Sequence, residues 1–401
     1  MLERDGKTNN AIKRGKTNNA VKRVKIEANS KEFHYFKPGL LNLSDDVLLI
    51  IFSFVDPLDL LSLSKCSQRL ANISCDKTLW ERVDLRPYKM SFCALKKCVQ
   101  FLQASTKFLA TQGFANKRNS SHPTIPKSIL RAVARNAPNL TTLILENHVI
   151  DSSKLVLEDF PSSVEHLGIR NCIMINLPHE RSYFLKLNKT LPKLKVLDLT
   201  GNEWFPTHSL LALSKSLSLE ELILTGCNVT DALPYASLAA NFGFCSLKAL
   251  DLRNTNVSDI EVTCFNRMST LRHLYLCGRG TGEVDSQNID TEVTDYSIVT
   301  FGSVPGEGGR MPRGGGGGAD GGAEVIILQV GSFQRTPCKL ETLVIRNYPG
   351  ITDLSLKHAA SFMKSLKFID VTGSGCSEAG ILDFKNARPE VCIKPDIVSH
   401  I

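Results

Sequence analysis

The sequence lacks the residue patterns that mark several common classes of enzyme and metal-binding protein. Its twelve cysteines include no Cys-x-x-Cys pair and no His–Cys group at zinc-ligand spacing, so neither a zinc module nor a disulfide framework is predicted. Gly-x-Ser-x-Gly, His-Glu-x-x-His and phosphate-binding glycine loops are also missing. We therefore expect no catalytic residues, no metal site, no other cofactor and no enzyme activity.

Long apolar runs are scarce as well, and most of the excess positive charge lies at one end. The longest run is nine residues with a serine inside, which is too short to cross a bilayer, and no signal peptide opens the chain. We expect no membrane contact and a reducing compartment, the cytoplasm or the nucleus or both. Residues 1–37 hold 10 Lys and Arg against 4 Asp and Glu, which is +6 of the formal +8. The remaining body is near neutral, which argues against nucleic-acid binding.

The basic residues belong to a polar arm, 1–39, that contains a tandem duplication and few aromatics. Such composition predicts disorder. A nuclear-import signal, contact with nucleic acid by charge alone, and a merely solvated tail all remain open for this arm.

The stretch 43–85 combines short helix signals with much apolar sequence. Ser44 is a good N-cap residue for a first helix, and segment 47–55 contains a single polar residue. Asp56-Pro57 predicts the start of a second helix, and we expect a third short helix around Trp80. A helix that is apolar all round must be buried on every side, which roughly 40 residues cannot achieve alone. The stretch therefore predicts a docking module whose core is completed by a partner.

These residues resemble an F-box, and a buried three-helix corner of an ordinary domain is the alternative. The likeness rests on Leu43, Asp46–Phe52, Asp56–Leu60, Cys66 and Leu79-Trp80. Ser44 stands where the family usually has proline, and Arg69 where it often has tryptophan. The resemblance implies binding to the Skp adaptor of cullin-RING ubiquitin ligases. The residues expected to bind this adaptor are Leu43, Leu48, Ile51, Phe52, Pro57, Leu58, Leu60, Leu61 and Trp80.

A second pattern, Leu-x-x-Leu-x-Leu with Val or Ile at some positions, recurs eight times. The matches begin at Leu140, Val164, Leu194, Leu219, Leu247, Leu271, Leu340 and Leu366. Alternation predicts a half-buried strand in each match, and the usual spacing of 24–30 residues leaves room for a helix. The pattern resembles the cysteine-containing leucine-rich repeat. The predicted fold is α/β: a three-helix F-box followed by a leucine-rich-repeat solenoid of the ribonuclease-inhibitor kind, with strands on the concave side.

One interval between matches, from Leu271 to Leu340, is 69 residues long. It contains the late helix start Val293-Thr294-Asp295, which predicts one inserted loop near 279–292 and a second insertion after that helix. Residues 302–331 hold 12 of the 27 glycines. We therefore expect a flexible glycine-rich insertion at about 302–335.

An F-box followed by such repeats resembles the F-box/leucine-rich-repeat family of substrate receptors. Further likeness to a short vertebrate member rests on Val83-Asp84-Leu85, Tyr88, Ala137–Leu140 and Pro161–Ser163. The predicted domains are the arm 1–39, the F-box 40–85 and the solenoid 86–401. The resemblance implies a non-catalytic ligase subunit: the F-box would hold the Skp adaptor and cullin, and the solenoid a protein substrate. The alternative is an interaction scaffold that works outside any ligase, for example in the nucleus.

Residues that bind the target are expected at solvent-facing strand positions on the concave side. Arg170, Arg253 and Arg346 follow the last strand leucine in three repeats, and such a row could bind an acidic or phosphorylated segment. The other candidates are Asp198, Asp251, Tyr275 and Asp370. The alternative is that the arginines and aspartates simply pair with one another.

Overall fold

A computed structural model describes residues 39–88, 90–113, 122–229, 232–278, 293–302 and 338–395. The arm up to residue 38, the loop 279–292 and nearly all of the glycine-rich segment lie outside these ranges, so the expectations for them stay predictions, as do the three domain boundaries. The chain divides into two units, 1–44 and 45–401. In the first, Leu40–Asn42 form a 3-10 turn. The elements described below belong to the second.

Three short helices open the second unit, and each start has a chemical cause. Helix α1 (Asp45–Phe52) has two acidic residues in its first turn, where they stabilise the positive end of the helix dipole. Helix α2 (Pro57–Leu63) begins with its proline, as predicted. Helix α3 (Gln68–Ser74) begins where the Ser67 hydroxyl accepts the Leu70 N–H.

The predicted helix around Trp80 is wrong in position, because α3 ends at Ser74 and Trp80 lies in the following turn. The indole N–H of Trp80 donates to the Ser74 carbonyl at 2.7 Å. The apolar pair Leu79-Trp80 belongs to this turn, and the helix signal that mattered was the cap at Ser67.

The paired strands run parallel. They are β1 (Arg82–Asp84), β2 (Phe108–Gln112), β3 (Thr142–Glu146), β4 (Val149–Asp151), β5 (His166–Arg170), β6 (Ile173–Ile175), β7 (Val196–Asp198), β8 (Glu221–Ile223), β9 (Ala249–Arg253), β10 (His273–Cys277), β11 (Thr342–Arg346), β12 (Phe368–Asp370) and β13 (Cys392–Lys394). Eleven of them form one sheet in chain order, and β4 pairs with β6 beside it. Each of the eight repeat matches is a strand, so the predicted repeats are confirmed.

Helices alternate with these strands. They are α4 (Phe92–Phe101), α5 (Lys127–Asn136), α6 (Leu187–Thr190), α7 (Ser209–Leu213), α8 (Leu233–Phe242), α9 (Asp259–Phe265), α10 (Asp295–Ile298), α11 (Asp353–Phe362) and α12 (Glu378–Ala387). The combination of F-box helices, a parallel sheet and alternating helices has the arrangement of a leucine-rich-repeat solenoid, as the sequence predicted. None of the described helices is long and apolar enough to span a bilayer.

The core lies between the sheet and the helices and is built on the leucine pattern. The middle residues of the eight matches align across the sheet and are buried: Leu143, Leu167, Leu197, Leu222, Leu250, Leu274, Leu343 and Ile369. Because side chains alternate along a strand, the residues directly before and after each core position on its strand point to the opposite side of the sheet. We call that side the open face.

Both insertions leave the repeat register intact. Strand β10 pairs directly with β11, so Leu274 lies opposite Leu343. The helix starts are also linked, since the Asp259 carboxylate accepts the Thr294 N–H at 2.8 Å and the Asp295 carboxylate accepts the Thr352 N–H at 2.9 Å. In both cases an aspartate of one repeat accepts the backbone N–H at the helix start of the next repeat, across an insertion.

Candidate partner-binding surfaces

Helix α1 and the turn that follows it carry an exposed apolar stripe. Val47, Ile50 and Ile51 in the helix are 41, 62 and 37% exposed, and Phe54 in the turn is 85% exposed. Spacing of three and four residues places the helical members along one side of α1. Leu48 and Phe52, four residues apart, are buried. The segment that is apolar all round thus uses one side for the protein's own core and leaves the other uncovered.

The predicted adaptor-binding residues divide between core and surface. Five are buried in the chain's own core: Leu48, Phe52, Leu60, Leu61 and Trp80. Pro57 and Leu58 are half-buried, Ile51 is exposed, and Leu43 lies half-buried in the first unit. The five buried side chains can affect a partner only by maintaining the fold, and a direct role for the others stays a prediction.

Two strongly exposed apolar residues, Ile50 and Phe54, are missing from the predicted set. Hydrophobic periodicity does not separate them from their neighbours, because nearly every residue of this segment is apolar. Together with Val47 and Ile51 they form what we call the α1 stripe.

The α1 stripe belongs to a module that is fixed to the first repeat. Trp80 is fully buried, and its ring centroid lies 5.2 Å from that of Phe101 in α4. The Gln103 amide donates to the Cys75 carbonyl at 2.6 Å. Within the module, Arg69 Nη2 reaches Asp45 Oδ1 at 2.6 Å, so the arginine that replaces the frequent tryptophan links α3 to the start of α1. These contacts hold the helices that carry the α1 stripe in place.

The second candidate surface is the open face, where the predicted arginines meet the predicted aspartates. Arg170 Nε lies 2.7 Å from Asp198 Oδ2, Arg253 Nη2 lies 2.5 Å from Asp251 Oδ2, and Arg346 Nε lies 3.8 Å from Asp370 Oδ2. The expectation that these aspartates face solvent is wrong, because all three are buried. Each aspartate lies close to the sheet and is covered by an arginine side chain.

The three arginines occupy equivalent positions but pair in two ways. Arg253 pairs with the aspartate two residues earlier on its own strand. At the same place β5 has Gly168 and β11 has Val344, so Arg170 and Arg346 reach the aspartate of the next strand. The residue two positions before each arginine therefore determines whether the arginine pairs with an aspartate of its own strand or of the next strand. This residue can be read from the sequence.

The described residues contain no group of three or more His, Cys, Asp and Glu placed to hold a metal ion. Burial raises the pKa of the Cys172 and Cys227 thiols to about 12, which keeps them protonated and unreactive at neutral pH. The Cys227 thiol instead donates to the Leu199 carbonyl at 3.1 Å. Both cysteines therefore serve as small buried groups of the repeat.

Comparison with known proteins supports the F-box and the repeats independently. The F-box domain model matches residues 40–82. F-box/LRR-repeat protein 12 of mouse is 29% identical over 189 residues, which covers 47% of this chain and 56% of the mouse protein. The human protein of the same name is 29% identical over 188 residues, with the same coverage. The match thus spans about half the length of these curated relatives.

Among solved structures, the crystal structure of a TLR13–ssRNA13 complex matches 76% of this chain and 34% of its own. Its TM-score is 0.40 and its sequence identity 14%, a likeness too low to bear on function. The F-box match and the curated relatives confirm the resemblance first seen in the sequence: this chain combines a segment that matches the F-box domain with leucine-rich repeats, and it is similar to F-box/LRR-repeat protein 12.

Proposed function

We propose that this chain is the substrate-recognition subunit of a Skp–cullin–F-box ubiquitin ligase. The F-box binds the Skp adaptor, which connects it to the cullin, and the repeats bind a protein target. The observation that carries the proposal is the α1 stripe, which lies inside the segment matched by the F-box model. The protein would act in the cytoplasm, the nucleus or both.

The energetics of the stripe favour its burial by a partner. Single exposed apolar residues are ordinary on a protein surface, whereas a contiguous apolar patch marks an interaction site. Complete burial of one Ile or Phe side chain contributes about 1.5–3 kcal/mol. Ile50 and Phe54 are the most exposed members of the stripe, so a partner that covers them gains several kcal/mol from these two residues, by the same estimate.

The proposed role requires no chemistry from this chain. Other subunits would carry the ubiquitin, and this subunit would raise the effective concentration of one target beside them. The inert state of the two buried repeat cysteines is consistent with such a role.

The proposal is tested by co-purification of the Skp adaptor and the cullin with the full chain. We expect wild type to recover both, and the double variant Ile50→Asp with Phe54→Asp to recover neither, because two carboxylates would be buried without partners. Both side chains are exposed in the free chain, so the free energy of unfolding should change by no more than about 1 kcal/mol.

The matched control is Leu238→Asp with Phe242→Asp on helix α8. Like Ile50 and Phe54, these residues are apolar, exposed and four positions apart. The control should recover the adaptor like wild type. Equal recovery by the α1 double variant would contradict the role of the α1 stripe. Failure of the wild-type chain to recover the adaptor would contradict the proposal and favour a scaffold that acts outside a ligase.

A further inference from the structure

Strands β9, β10 and β11 bring two arginines to either side of a short side chain on the open face. The register places Arg253 opposite Cys277, and Cys277 opposite Arg346. Neighbouring strands lie about 4.8 Å apart, so the backbones of the two arginines are roughly 10 Å apart. The smaller Cys277 lies between them and leaves a gap between two guanidinium groups.

The two arginines keep hydrogen-bond donors that their aspartates do not use. Arg253 contacts Asp251 through Nε and Nη2, while its side chain remains 48% exposed. Arg346 is 47% exposed and approaches Asp370 only to 3.8 Å, which is beyond hydrogen-bonding distance. By contrast, Arg170 is 27% exposed and held at 2.7 Å.

Asp370 has other hydrogen-bond donors besides Arg346. Its Oδ1 accepts the Thr372 N–H at 3.0 Å and the Thr372 hydroxyl at 2.6 Å, while Oδ2 is the oxygen nearest Arg346. Among the described residues, Arg346 therefore has no hydrogen-bonded acceptor, although a guanidinium presents five N–H donors in a planar fork.

A neighbouring position on β10 provides a wall. The Tyr275 ring lies beside the gap, with the Arg253 guanidinium carbon 5.7 Å from its centroid. A ligand group can therefore lie against an aromatic ring while it approaches both arginines.

We propose that Arg346, with Arg253 and Tyr275, forms an anion-binding subsite that recognises an acidic or phosphorylated side chain in an extended segment of the target. The inference rests on the proposed function and names the chemistry of the target. A carboxylate or phosphate accepts two hydrogen bonds from Arg346 in a fork and a third from Arg253. Three extended residues span the distance between the two arginines, since each covers about 3.3 Å.

The test uses the purified full chain and immobilised libraries of nine-residue peptides. The libraries are degenerate except for the central residue, which is glutamate, phosphoserine or alanine. We expect wild type to retain the phosphoserine or the glutamate library at least about tenfold more than the alanine library. Phosphoserine alone would identify phosphate as the anion, and retention of both would show that a carboxylate suffices.

The variants separate recognition from folding. Arg346→Gln should reduce the preference to about twofold or less, and Arg346→Lys, which keeps the charge but not the fork, should retain part of it. Arg267→Gln is the control, because Arg267 is exposed and follows helix α9 rather than a strand of the open face. Thermal unfolding should be the same for all four proteins.

Two results would overturn the inference: equal retention of the three libraries by wild type, or an unchanged preference in Arg346→Gln. Adaptor binding is measured on the same preparations. If the adaptor binds and the libraries show no preference, the subsite is wrong and the proposed function stands. If the adaptor does not bind, the proposed function itself fails.

Discussion

Asp295 should be a stability determinant that joins the repeats on either side of the second insertion. Its carboxylate accepts the Thr352 N–H at 2.9 Å and the hydroxyls of Thr352 and Ser355 at 2.5 Å each. Ser355 is completely buried and Thr352 half-buried. The perturbation is Asp295→Ala, which removes the acceptor and keeps the backbone.

The magnitude follows from the groups left without partners. An unpaired polar group in the interior costs about 1–3 kcal/mol. The Ser355 N–H keeps its bond to the Thr352 carbonyl, so the loss falls on the Thr352 N–H and on the hydroxyls of Thr352 and Ser355. We expect Asp295→Ala to lower the free energy of unfolding by roughly 2–4 kcal/mol. Asp295→Asn retains one oxygen acceptor and should lose about half as much.

The assay is urea unfolding combined with hydrogen exchange of the amides in α10 and α11, because loss of one interface in a repeat protein can be local. The control is Glu378→Ala. Glu378 occupies the same place in α12, directly after a serine cap, but is exposed, so its loss should cost less than about 0.5 kcal/mol. Equal stability of Asp295→Ala and Glu378→Ala would refute the linkage between repeats.

Two further predictions concern buried side chains. Burial lowers the pKa of His148 to about 4, whereas a histidine in the unfolded chain titrates near 6.5. The free energy of unfolding should therefore fall as the pH falls from 6.5 to 4, and about 2 kcal/mol should be lost by pH 5. Denaturant titrations should show this slope for wild type, and an unchanged slope in His148→Gln would contradict the assignment. Trp80→Ala should cost about 3–5 kcal/mol, because the ring joins α3 to α4. Trp204→Phe, at a half-buried site, is the milder comparison, and equal losses in the two variants would argue against a special role of Trp80.

The repeats could be predicted because two strong signals coincide in them. Alternating leucines define a strand with one buried side, and polar residues such as Ser258 and Thr352 cap the following helices. The last strand, β13, was missed because Val391 and Ile393 follow the pattern only in part. Helix α12 was missed because no repeat match follows it, although Ser377 caps it.

The candidate surfaces were predicted less completely, for a physical reason. In α1 nearly every residue is apolar, so hydrophobic periodicity cannot show that Phe52 packs inward and Ile50 outward. On the open face, the sequence identified the arginines and aspartates but not their exposure. That difference depends on distances of 2.5–3.8 Å between side chains, which are fixed only after the strands are placed side by side.

The most direct test of the central claim is a titration of the purified full chain with the purified Skp adaptor. We predict a saturable complex with one adaptor per chain, lost in Ile50→Asp with Phe54→Asp and retained in Leu238→Asp with Phe242→Asp. Absence of a saturable complex with the folded wild-type chain, or equal affinity of the α1 double variant, would contradict the account.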